Sequence, residues 1–144
     1  MGLLDFIKDA GESLFGGGRD EAQEINDLLQ STFGTDISSL KVEFDDGVVF
    51  LSGSCESQAV KEKAILLAGN VKGVKAVDDT NFTAPVEEEV EFYTVKPGDS
   101  LSKIAKQHYG NAMKYPQIFE ANREVVKDPD LIYPGQKLRI PKLN

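Results

Sequence analysis

The chain has one cysteine, one histidine and no apolar run near the length of a membrane span. Each shortage removes a class of function. A single cysteine, Cys55, excludes a disulfide within the chain and fits a reducing compartment. No histidine or lysine flanks it closely to activate the thiol, so Cys55 reads as an inert buried or half-buried side chain. A single histidine, His108, excludes a two-histidine site, and its place beside Tyr109-Gly110 reads as a helix end. A spanning helix needs about 20 apolar residues. A secretory leader needs a basic start, an unbroken apolar run and a small-residue cleavage site. In the opening MGLLDFIKDAGE, Asp5, Lys8, Asp9 and Glu12 break the run, so a cytoplasmic protein is expected. Gly16–Gly18 lacks the lysine and Ser/Thr that follow in a phosphate-cradling loop and reads as a joint. The paired acids Asp45-Asp46 and Asp78-Asp79 fall at turns or strand ends and read as solvated. No catalytic constellation emerges, and the chain is expected not to be an enzyme.

What is present suits a soluble α+β protein of two small domains. The chain has 144 residues, 40% hydrophobic and 28% charged. Its net charge of −8 is uneven. Residues 1–85 hold 15 acids and 7 bases, whereas residues 92–144 carry a net +4. An acidic first half disfavours nucleic acid and anionic lipid and mildly favours cations.

Along residues 1–15 the apolar positions Leu3, Phe6/Ile7, Ala10 and Leu14 have helical spacing, which predicts a helical N-terminal segment and glycine joint over residues 1–18. Such a helix would be a poor membrane foot, because its polar face mixes Lys8 with Asp5, Asp9 and Glu12. A domain over residues 19–83 follows. Its first helix carries Ala22, Ile25, Leu28/Leu29 and Phe33 inward and ends at Gly34. Leu40, Val42 and Phe44 alternate as a strand, Asp45-Asp46-Gly47 signals a hairpin, and Val48–Leu51 is the return strand. Ser54 or Ser57 caps a second helix with Val60, Ala64, Leu67/Ala68 and Val71 inward. A third strand runs from Val74 and Ala76 to Phe82, giving αββαβ. Residues 84–91 form an acidic, extended linker. Residues 92–144 then read strand, helix, helix, strand: Phe92–Val95, a helix capped by Asp99 or Ser100, a second helix entered by Pro116 with Ile118 and Phe119 inward, and Lys137–Ile140.

Two stretches carry a family resemblance. FYTVKPGDSLSKIA (residues 92–105) and PDLIYPGQKLRIP (129–141) resemble the frame of a LysM module. GVVFLSGSCESQAVKEKAILLAGNVKGVKAVDD (47–79) resembles the BON domain in its hydrophobic register and its GVxxVDD ending. With the opening MGLLDFIKDAGE, the whole chain resembles the bacterial BON–LysM potassium-binding proteins, also called BON–LysM stress proteins. The resemblance implies a cytoplasmic protein that binds K⁺ selectively and changes conformation on doing so; a K⁺ sensor or buffer is expected, with its BON-like and LysM-like domains in contact. A cage of backbone carbonyls suits a large, weakly hydrated ion. The carbonyls of Ile7, Ala10, Gly69, Val71 and Val74 are the expected ligands, drawn from two helix ends whose carbonyls lack internal partners. The LysM resemblance alone implies an alternative, binding to the N-acetylglucosamine chains of peptidoglycan. Its groove would lie between Gly98, Asp99, Ser100 and Leu101 on one side and Pro129, Asp130, Leu131 and Ile132 on the other. A structural adaptor without ligand is a third reading.

Overall fold

A computed structural model describes residues 3–8, 20–85 and 90–142. It is α+β. The first unit contains strand β1 (Leu3–Asp5), helix α1 (Glu21–Phe33), strands β2 (Ile37–Asp45) and β3 (Val48–Cys55), helix α2 (Gln58–Gly69) and strand β4 (Ala76–Thr83). The second contains β5 (Val90–Thr94), α3 (Leu101–Tyr109), α4 (Tyr115–Ala121) and β6 (Lys137–Pro141). Among the described residues no helix is long and apolar enough to cross a membrane.

Local chemistry explains most boundaries. Asp20 caps α1 by accepting the Ala22 N–H at 2.9 Å, and Gly34 closes it at φ 52°. The Asp45–Val48 hairpin needs positive φ at both central residues, and Asp46 (48°) and Gly47 (81°) supply it. Of the two candidate caps for α2, Ser57 is the one used, its hydroxyl accepting the Val60 N–H. Ser100 likewise caps α3, and Pro116 occupies the first turn of α4. The return strand β3 continues past Leu51 to Cys55, because its inner-face residues Val49, Leu51 and Cys55 are all buried.

The four-stranded sheet has the order β1-β4-β3-β2, with β3 and β4 parallel and joined through α2. Ile25, Leu29 and Phe33 of α1 and Ala64, Ile65, Leu66 and Ala68 of α2 pack with Val49, Leu51, Val77 and Phe82. A smaller core gathers Val95, Leu101, Ile104, Ala105, Ile118, Val126, Leu138 and Ile140.

The N-terminal expectation needs correction. Leu3–Asp5 is a strand, not the start of a helix. Without it, β4 would leave a row of N–H and C=O groups on that edge, and pairing with β1 satisfies them. Residues 6–8 are not helical either, and the rest of the expected helix from residue 9, including Ala10, lies outside the described residues.

Candidate functional site

Three of the expected carbonyl ligands, Gly69, Val71 and Val74, belong to the C-terminal end of α2 and the turn that follows it. The segment Leu67–Val74 leaves the helix through a tight series of bonds. The Asn70 N–H donates to Leu66 O at 2.9 Å, Val71 N–H to Ala68 O at 3.3 Å, and Val74 N–H to Val71 O at 3.1 Å. Gly73 sits at φ 103°, a conformation that favours glycine. Gly69 is required for a different reason. A Cβ there would lie 2.1–2.3 Å from the Phe6 ring, so the missing side chain is the seat for Phe6.

The N-terminal segment closes on this turn from the other side. The β1–β4 register, Leu3 opposite Asp78 through Asp5 opposite Ala76, runs on past the strand. The Phe6 N–H donates to Lys75 O at 2.8 Å, and the Gly73 N–H donates to Lys8 O at 2.7 Å. These bonds place Ile7 level with Val74. Among the described residues, no turn or loop N–H is bonded to the carbonyls of Ile7, Gly69 or Val74, while Val71 O already accepts one. The Ile7 side chain is not core: it is 51% exposed. No group of three or more His, Cys, Asp or Glu side chains that could hold a metal occurs among the described residues. What this corner offers a cation is therefore main-chain oxygen.

The second candidate groove is largely committed to the fold. Leu101 is a core side chain, only 3% exposed, so only its backbone can face a ligand. Asp99 accepts the Tyr93 hydroxyl at 2.6 Å and the Lys96 N–H at 2.9 Å. The Tyr93 bond holds the Asp99 carboxyl below its ordinary range, and the same bond pushes the Tyr93 phenol up to about 12. Ser100 is occupied as the α3 cap. Gly98 (φ 87°) has open space where a Cβ would be. On the opposite loop, Pro129 and Ile132 are half-buried, Asp130 is exposed with its N–H on the Asp128 carboxylate, and Leu131 is 67% exposed.

The two units meet along α2 and β6, and here sequence reasoning missed the principal residues. Glu62 accepts from both Nε (2.9 Å) and Nη2 (2.8 Å) of Arg139, and both side chains are buried. Lys63 pairs with Glu124 at 2.8 Å. Asn70 accepts the Lys137 N–H at 2.9 Å and donates to Lys137 O at 3.0 Å. Asn122, wholly buried, makes the same pair of bonds to Arg139, both at 2.8 Å. The Lys137 ammonium lies 5.4 Å from the Phe6 ring centroid, and burial lowers its pKa while Asp5 opposes the shift. A cleft of about 220 Å³ between the units is lined by Leu28, Leu67 and Asn70 on one side and Val125, Leu131 and Tyr133 on the other. One signal for the interface was available: Glu62 shares the α2 stripe of Ile65, Leu66 and Gly69, an odd place for a charge unless a partner covers it.

Comparison with known proteins agrees with this two-part anatomy. The BON domain family matches residues 20–84 and the LysM domain family matches residues 93–141. The chain is 45% identical over 148 residues to a protein of Escherichia coli O6:H1 (strain CFT073) named "Potassium binding protein Kbp", covering 99% of each. It is 43% identical over 104 residues to an uncharacterized protein of Deinococcus radiodurans, covering 65% of this chain and 40% of that one. It is 32% identical over 78 residues to the uncharacterized protein YqbP of Bacillus subtilis, covering 48% of this chain and 36% of that one. The likeness to the Escherichia coli protein runs end to end through both domains, and the chain belongs to that BON–LysM family.

Proposed function

We propose that this protein binds K⁺ as a cytoplasmic sensor or buffer and compacts when it does so. The observation that carries the reading is the 45% identity across 99% of both chains to a protein named for potassium binding. The proposed ligands are the carbonyls of Ile7, Ala10, Gly69, Val71 and Val74. The corner of β1 and the α2 turn supports this choice, since among the described residues no turn or loop N–H is bonded to the carbonyls of Ile7, Gly69 or Val74. An ion drawing on both segments would tighten the N-terminal segment onto the turn. It would then stabilise the compact state by mass action, by about 2.7 kcal/mol at a hundredfold excess over Kd. No catalytic role, nucleic-acid partner or membrane partner is part of this reading. Thermal melting in matched KCl and NaCl series tests it. The expected result is a rise in melting temperature specific to KCl, and equal shifts in the two salts would sink the idea.

Peptidoglycan binding is the second reading, favoured by the exposed Leu131 and the open space at Gly98. Retention on purified peptidoglycan, lost in Leu131→Ala with the fold intact, would support it. No retention would remove it.

A further inference from the structure

β6 is an edge strand. Among the described residues it pairs with β5 on one side only, and its other edge would present unpaired main-chain groups. The register sets which residues those are. Lys137 lies opposite Thr94 and Arg139 opposite Phe92. The neighbouring Val95 N–H donates to Gln136 O at 2.8 Å, so residue 136 faces β5 and, by strand alternation, residues 137 and 139 turn their N–H and C=O away from it. Two asparagines complete that edge, one residue each. Asn122 serves Arg139 from within the LysM domain. Asn70 serves Lys137 from the BON domain. Both asparagines stand at the C-cap of a helix, α4 and α2 respectively. A carboxamide suits this task because it offers one acceptor and two donors. An aspartate could accept the Lys137 N–H but would set a carboxylate against Lys137 O. An alanine would leave both groups without a protein partner.

Asn70 is also part of the turn that carries Gly69, Val71 and Val74. The Phe6 ring reaches the same strand residue. Gly69 seats the Phe6 ring, and the Lys137 ammonium lies over that ring. The Tyr133 hydroxyl approaches Asn70 O at 3.5 Å. The α2 turn, the N-terminal segment and β6 are therefore joined at Lys137 through its main chain and its side chain.

We propose that Asn70 is the coupling residue of this protein: by reading the main chain of Lys137 it docks the LysM domain on α2, so that a change in the α2 turn is transmitted to the LysM domain. The transmitted signal rests on the K⁺ reading above, whereas the docking does not. Linkage then requires that the LysM domain, once coupled, also alter the affinity of the turn for its ion.

The test uses the full chain with dyes on cysteines introduced at exposed Lys41 and Lys114. Interdomain distance is read by energy transfer and K⁺ binding by calorimetry, in the otherwise unaltered protein and in Asn70→Ala and Asn70→Asp. The expected result is a longer, broader interdomain distance in both variants without added salt. In KCl, the K⁺-dependent distance change disappears while binding heat persists, with affinity weakened about fivefold or more. A variant that keeps the parent distance in both conditions overturns the proposal. If the parent chain gives no heat with K⁺, the ion reading fails by itself. The coupling is then decided by the salt-free distance, longer in the variants for support and unchanged for refutation.

Discussion

Glu62 and Arg139, 77 positions apart, form a buried ion pair that ties the BON domain to the LysM domain. Arg139 also donates to Ala121 O at 3.1 Å, so its charge is satisfied on two sides. Removing one member of such a pair strands the other without water. Arg139→Leu is expected to cost about 3 kcal/mol or more, and Glu62→Leu a similar amount. The double variant should cost less than the sum, because neither charge is left alone. A double-mutant cycle by urea denaturation measures the coupling. Simple additivity would show that the pair holds nothing together.

The seat of Phe6 gives a second prediction. Gly69→Ala puts a methyl into the ring and is expected to cost about 1–3 kcal/mol, with faster amide exchange over residues 3–8. Phe6→Ala loses the buried ring, about 3 kcal/mol. In the Phe6→Ala background, Gly69→Ala should become neutral or mildly stabilising, since alanine is the better helix former. If Gly69→Ala costs as much without Phe6, the ring is not why glycine is there.

The Tyr93–Asp99 bond predicts a pH profile. The Asp99 pKa is depressed in the folded state, so its contribution is complete above the ordinary value of 3.8 and lost as pH falls through the folded value. The Tyr93 pKa is raised, so its contribution is complete below 10.0 and lost as pH rises towards about 12. Tyr93→Phe should therefore cost about 1 kcal/mol at pH 7, discounted for partial exposure. The gap should close at both extremes of pH. A gap that is flat with pH would mean the bond contributes nothing.

Cys55 is buried, and desolvation pushes its thiol up to about 12 despite the charge of Lys61. Against the ordinary value of 9.0, the folded thiolate fraction near pH 8 falls by about a thousandfold. The thiol should react with an aromatic disulfide reagent in urea and be nearly silent in buffer. Equal rates in the two would place Cys55 at the surface.

The sequence made some of this legible and hid the rest, for physical reasons. Caps and turns such as Ser57, Asp46-Gly47 and Gly34 act through neighbours in the chain, so they could be read directly. The periodicity of α1 named Ile25, Leu29 and Phe33 because that helix buries a single stripe. α2 buries two, one against the sheet and one against β6, so its spacing showed only the first. Leu3–Asp5 read as a helix because pairing with β4 depends on residues more than 70 positions away, which no local pattern reports. The carbonyl corner is illegible in principle from side chains alone, since any residue supplies a carbonyl. Of the expected ligands, Ile7, Gly69, Val71 and Val74 lie in or beside it, and Ala10 falls outside the described residues.

The α2–β6 interface also sets an order on biosynthesis. α2 emerges from the ribosome long before its partners, with Glu62 waiting 77 positions for Arg139 and Asn70 waiting 67 for Lys137. At about 5–20 residues per second, the first delay lasts about 4–15 s. Through that interval the BON domain can fold while a carboxylate and a carboxamide on α2 remain in water. A message truncated just before β6 would leave them there permanently, so arrival of β6 separates a docked pair of domains from an undocked one.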